Sequence, residues 1–348
     1  MSPRLTVVGW VPLLLAGGLL AGCSGEPSQR GSEAQFKVAL LTAGPVTDAG
    51  WYAGAYEGLQ MVGDSLGAVI THEQTRTPAQ FDEAFFAYGS EGYDLVFAHG
   101  FEYQDAAMRA GERFPEMTIV VSGGGQVSDN VIPLIFRLEE GSYLAGMVAG
   151  GVSQTGVVGM VGGVDIPPAR GTFDAFRAGA EAVQPGLRIL ESYTGDWDDV
   201  SAAKEAAVAQ LRADADVLIH NTDAGSFGIF QAVREASNLS TPRWALGMNR
   251  DQNSVAPDVI LGSAVIRIPE AFLRVARDHQ DGTLSGQPTF TGIRSGVIDF
   301  VPNPELVDQI PAEVLDRVDD ARERIRTGAL QVPRIHFVEG ETEEGASP

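Results

Sequence analysis

The sequence predicts an α/β protein of two lobes, each a parallel sheet flanked by helices, with a ligand cleft between the lobes. Three observations carry this expectation. Strand-like apolar runs alternate with helix-like segments from residue 36 onward, and the alternation restarts near residue 138. The strand runs are continuously apolar, as in parallel sheets covered on both faces. Glycine-rich or polar loops follow the strands, and open α/β sheets bind ligands beyond their strand carboxyl ends.

The stretch 36–59, FKVALLTAGPVTDAGWYAGAYEGL, organises the rest. Phe36, Val38, Leu40 and Leu41 form a β-type run ending by Thr42, and Gly44, Pro45, Asp48 and Gly50 are turn formers. Asp48 stands where it can accept from the first free N–H groups of a helix whose inner face carries Trp51, Ala55, Leu59 and Val62. An indole in the first turn after such a loop points toward the ligand edge of the sheet, where stacking is its use; capping the core beneath the loop is the other reading.

Strand then follows at 67–72, and Thr77-Pro78 opens a helix to Tyr88 with Thr as N-cap and Pro as first helical residue. Strands at 95–98, 118–121 and 131–136 enclose a helix over 104–114; the first ends in His99-Gly100-Phe101 and the second in Ser122 and three glycines. The second series runs helix 138–153, strand 156–163, helix 171–183, strand 188–193, helix 200–212 and strand 217–220. Asn221-Thr222-Asp223-Ala224-Gly225 then leads into helix 227–236, and strand 244–248 ends in Asn249-Arg250-Asp251-Gln252. A strand over 260–268 returns toward the first lobe, before helices 270–279 and 311–326. The expected organisation is lobe one at 36–137, lobe two at 138–262, shared crossing and closing segments at 263–334, and a tail at 335–348.

The chain begins MSPRLTVVGWVPLLLAGGLLAGCSG, one Arg and an apolar run ending in Leu20-Ala21-Gly22-Cys23. The run is shorter than the ~20 residues a spanning helix needs, and small residues precede the single cysteine of the chain. Residues 1–22 are therefore expected to be a lipoprotein signal, Cys23 the lipidated residue, and 23–35 a flexible tether. Ser24 is compatible with outer-membrane sorting in a two-membrane envelope, and a single-membrane cell would hold the protein on its outer leaflet. With 24 Lys and Arg against 46 Asp and Glu, the net charge of −22 disfavours nucleic acid as a partner.

Taken in order and spacing, several segments resemble the basic membrane protein family, also called PnrA-like, of substrate-binding lipoproteins serving ABC transporters. They are GPVTDAGWYAGAYEGL (44–59), FAHGF (97–101), FRLEEGSYLAG (136–146), TGVVGMVGG (155–163), FDAFRAG (173–179), Asp251-Gln252 and IRTGALQVP (325–333). The resemblance spans Phe36 to about Pro333 and implies a periplasmic-binding-protein fold of type I that closes on a nucleoside-like ligand, purine nucleosides foremost, and delivers it to an ABC permease. It implies that Trp51 and Phe173 sandwich a base, that Asp251 accepts ribose hydroxyls, that Asp48 is the acid before the first aromatic, and that Gly225 and Asp223 lie in a ligand loop. The chain departs from the family at Tyr52, commonly Asn, at Ser122, commonly Asp, and at Ile266, commonly Lys, with Arg267 beside it. A free base or another small planar metabolite thus remains open as ligand.

The sequence-level site is Asp48, Trp51, Tyr52, His99, Ser122, Phe173, Asp223, Gly225 and Asp251, with no catalytic residue, no metal and no cofactor, on a monomer. His99, at a strand carboxyl edge, can reach a ligand or serve as a hydrogen-bonded structural histidine. Gly156, Gly159 and Gly162 lack the G-x-G start of a dinucleotide cradle, and the five histidines lack metal-ligand spacing. Ser122, His99 and Asp223 could be imagined as a hydrolytic triad, but no G-x-S-x-G elbow supports a nucleoside hydrolase. A ligand sensor would need the same cleft.

Overall fold

In the computed structural model, residues 35–338 other than 49 and 239 are described. The expected signal, Cys23 and nearly all of the tether fall outside them.

The first series is β1 (Lys37–Thr42), α1 (Trp51–Leu66), β2 (Val69–Gln74), α2 (Pro78–Ser90), β3 (Leu95–His99), α3 (Gln104–Arg113), β4 (Thr118–Ser122) and β5 (Val131–Phe136). The second is α4 (Leu138–Val152), β6 (Val157–Gly162), α5 (Pro167–Val183), β7 (Arg188–Tyr193), α6 (Val200–Arg212), β8 (Val217–Asn221), α7 (Ser226–Ala236), β9 (Trp244–Asn249) and β10 (Ile260–Ile266). The chain closes with α8 (Ile268–Gln280), β11 (Thr289–Thr291), β12 (Ile298–Pro302) and α9 (Ala312–Thr327).

Two six-stranded sheets result, ordered β11-β5-β4-β3-β1-β2 and β12-β10-β9-β8-β6-β7. Each is parallel throughout except for the antiparallel pair of β10 with β12. The chain passes between the sheets after β5, after β10 and after β11, which makes three crossings. Both ligand edges are thereby fixed by central strands, and the cleft lies between them.

Packing across the crossings depends on small residues. α4 and α5 approach so closely that a methyl group at Gly146 or Gly179 would overlap the backbone carbonyls of Phe176 or Tyr143. On the other lobe α8 lies on α1, with Phe272 against Gly58 and stacked on Phe97 of β3 at 4.0 Å between ring centres. Among the described residues no helix is long and apolar enough to cross a membrane.

The elements differ from the sequence expectation in three places. β2 and β7 are half-exposed and polar in part because each is a sheet edge. α5 starts at Pro167, four residues before the expected 171, because Pro167-Pro168 presets the helical φ of the first turn. β11 and β12 complete the two sheets as strands of three and five residues, too short to announce themselves as apolar runs.

Candidate functional site

A cavity with about 750 Å³ of empty space, partly open to solvent, is bounded by the carboxyl ends of strands from both sheets. The first lobe supplies Trp51 and Tyr52 from the start of α1, Phe101 and Glu102 after β3, Ser122 and Gly123 at the end of β4, and Phe136 at the end of β5. The second supplies Ala169 and Thr172 of α5, Trp197 before α6, Asn221 and Asp223 after β8, and Asn249 at the end of β9. Glu139 at the start of α4, Ile266 at the end of β10 and Phe337 near the chain end close the remaining sides.

Asp48 sets the first wall without facing the cavity. Its buried carboxylate accepts from the N–H groups of Gly50 (3.1 Å), Tyr52 (2.8 Å) and Ala53 (2.8 Å), so it holds the first turn of α1 and aims Trp51 and Tyr52. His99 lies beneath Trp51, its ring 3.8 Å from the indole at 26°, and Phe136 meets the indole edge-on at 5.8 Å. Burial pushes the His99 pKa down to about 3, so the ring is neutral at pH 7. The Trp51 carbonyl can only accept, so His99 Nε2–H donates to it (3.1 Å) and Nδ1 accepts from the Ser122 hydroxyl (2.9 Å). Ser122 therefore turns its proton inward and offers the cavity an acceptor. His99 is too weak a base for hydrolysis, and a backbone carbonyl, not Asp223, occupies its second nitrogen.

On the second wall Trp197 packs its indole over Gly163, where any Cβ would strike the ring. Its carbonyl accepts from the N–H groups of Asp223 (2.9 Å) and Gly225 (3.1 Å), tying the β8 loop to the Trp197 loop. Gly225 thus serves that close approach and does not line the cavity. Asn221 Nδ2 donates to Thr172 Oγ1 at 2.9 Å. Asn249 holds φ at +69°, a region that Asn enters more readily than most residues. Gln252 is buried and accepts from His220 Nε2–H (2.8 Å) and Met248 N–H (3.0 Å), locking the ends of β8 and β9 together.

The electrostatics are one-sided. Among the described residues that line the cavity, Glu102, Glu139 and Asp223 are acidic and none is Lys, Arg or His. Desolvation raises the Asp223 carboxyl well above its ordinary range, reinforced by the charges of Asp48, Asp198 and Glu102. Burial likewise pushes Glu139 up to about 7, opposed in part by the nearby charges of Arg334 and Arg137. Glu102 retains solvent-accessible surface, yet protein surrounds its carboxyl on the cleft side and desolvation raises it to about 7. Burial also raises the Tyr52 hydroxyl, with further push from the charge of Asp223, so it stays a donor.

Of the residues singled out from sequence, Trp51, Tyr52, Ser122 and Asp223 line the cavity, while Asp48, His99 and Gly225 position its walls. Phe173 is 1% exposed and packs on Tyr193 inside the second lobe; Thr172, one position earlier on α5, faces the cavity instead. Asp251 is exposed, accepts from Asn253 N–H at 3.0 Å and lies outside the lining, where Asn249 stands. Sequence reasoning missed Trp197, Glu102, Glu139 and Asn249. A Gly-Asp-Trp turn before a helix was the available signal for Trp197; the two glutamates look like ordinary surface acids in the sequence.

Comparison with known proteins agrees with this architecture. The pattern of the Bmp family, described as ABC transporter substrate-binding protein PnrA-like, matches residues 35–336. The chain is 26% identical over 310 residues to the transcriptional activator protein Med of Bacillus subtilis, covering 89% of this chain and 93% of that protein. It is 24% identical to a purine-binding protein of Brucella abortus, covering 86% and 83% of the two chains, and 24% identical to an ABC transporter nucleoside-binding protein of Lactococcus lactis, covering 96% and 99%. Among solved structures, an ABC transporter solute-binding protein from Aeropyrum pernix superposes with a TM-score of 0.75 at 21% identity, over 87% of this chain and 94% of that one. A match that runs through both sheets and all of the cavity lining but Phe337 leaves one assignment: the chain belongs to the PnrA-like family of ABC transporter substrate-binding proteins.

Proposed function

We propose that this substrate-binding protein is anchored through a lipid on Cys23, captures a purine nucleoside between its lobes as a monomer, and hands it to an ABC permease without chemical change. The observation that carries the reading is an indole from each lobe, Trp51 and Trp197, on one cavity whose polar groups are acids, amides and hydroxyls. Each aromatic face stacked on a base is worth about 1–3 kcal/mol, and the cleft excludes water from the directed hydrogen bonds. Asp223, Asn221 and Asn249 are the groups proposed for the ribose and base edges, since Asp251 lies outside the lining. The purine-binding and nucleoside-binding relatives support the ligand class.

No Lys, Arg or His is among the described residues that line the cavity, so a phosphorylated ligand would bury its charge without a partner. A thermal-shift panel of nucleosides, free bases, pentoses and nucleoside monophosphates tests the reading. A midpoint rise with purine nucleosides alone supports it; a rise with pentoses alone refutes it. The relative that is a transcriptional activator supports a second reading, a ligand sensor built on the same cleft. Loss of nucleoside uptake on deletion of the gene separates transport from sensing.

A further inference from the structure

The C-terminal strap brings an aromatic side chain into the cavity from outside both sheets. α9 ends at Gly328, whose φ of +80° turns the chain back, and residues 329–337 run on without helix or strand. Leu330 and Val332 pack on the main core. Farther along, the charge of Arg334 reaches Glu139 and Glu140 at the start of α4, where the chain first crosses between lobes. Phe337 then lines the cavity and meets Phe101 edge-on, ring centres 6.4 Å apart at 64°. Its carbonyl lies against Gly125 so closely that any Cβ there would collide with it, and Val338 next to it is 6% exposed.

A segment without regular structure loses about 1–2 kcal/mol of backbone freedom per residue when ordered, so its placement has to be maintained by contacts. Val338 supplies them by burial and half-buried Leu330 and Val332 by packing on the core, whereas Phe337, half-buried as well, faces the space a ligand would fill. The family match ends at residue 336, one short of this side chain. We infer that Phe337 is a ligand-contacting residue: the strap carries it across the crossing from α9 to the first lobe, where it and Phe101 form an aromatic edge of the binding cavity and slow ligand escape. The inference rests on the nucleoside reading for the nature of the ligand, though not for the position of the strap.

The test uses the full chain with three substitutions, Phe337→Ala, Phe337→Trp and Gly125→Ala, the last displacing the strap without removing its ring. Titration with adenosine, guanosine and inosine should show affinity about 5- to 30-fold weaker for Phe337→Ala and Gly125→Ala, mainly through faster dissociation, with Phe337→Trp within about 3-fold of the parent. Parent-like affinity and dissociation in both weakening variants overturn the inference. Should the parent bind none of the three nucleosides, the functional reading fails, and acrylamide quenching of Trp51 and Trp197 in a Trp10→Phe, Trp244→Phe background still decides the strap. Quenching that rises in Phe337→Ala and Gly125→Ala supports Phe337 as a cavity wall, and unchanged quenching overturns it.

Discussion

Trp51 stands out in the sequence because an indole in the first turn after a turn-rich loop either stacks on a ligand or caps the core beneath the loop, and the structure puts it on the cavity with His99 behind it. Phe173 shows the limit of such reading: on a helix, one position turns a side chain by about 100°, and here that separates core from cavity. Trp51→Ala and Trp197→Ala should each weaken nucleoside binding about 10- to 100-fold by calorimetry, and Phe173→Leu should change thermal stability more than affinity. Glu139 offers a test without ligand. Its folded-state pKa of about 7 exceeds the ordinary 4.5, so the folded state holds the extra proton, and this carboxyl makes stability fall as pH rises from about 4.5 to about 7. Glu139→Gln, neutral throughout, should flatten that part of the pH–stability curve and stabilise the protein above pH 7 by up to about 3 kcal/mol. An unchanged slope in urea unfolding across that range would remove Glu139 from the account.

Most elements could be placed from periodicity because the central strands are continuously apolar, and α2 and α6 also start at side-chain N-caps, Thr77 and Asp199. Thr77 with Gln80 forms a full capping box at the start of α2, as Thr77-Pro78 suggested. β11 and β12 were hidden because their stability comes from pairing with β5 and β10, a tertiary cause that leaves little mark on three to five residues. The small-residue face of α4 was visible as Gly and Ala, and the structure gives its reason in backbone-to-backbone contact with α5. Gly179→Ala places a methyl group on the Tyr143 carbonyl and should cost at least about 2 kcal/mol in urea unfolding, because backbone meets backbone there and no side chain can give way. A loss under about 0.5 kcal/mol would mean that the two helices pack less tightly than described.

At the scale of the whole molecule, closure sets carboxylates of the two lobes against each other. Burial raises the pKa of Asp223 in the second lobe most, and the charges of Asp48 and Glu102 of the first lobe and of its neighbour Asp198 add to it. One ion pair favours the closed form, Arg250 of the second lobe with Glu57 of α1 at 2.6 Å, but both side chains are substantially exposed and such pairs contribute about 0–1 kcal/mol. The net charge of −22 was plain in the sequence, whereas the concentration of acid on the cleft followed from the fold. On the proposed function, this cleft takes an uncharged purine nucleoside and turns away its phosphorylated form. Calorimetric titration with adenosine and guanosine, each paired with its 5′-monophosphate, tests it most directly. Stoichiometric binding of at least one nucleoside, with affinity at least about 100-fold weaker for its monophosphate, is the expected result; equal or tighter binding of the monophosphate would rule the proposal out.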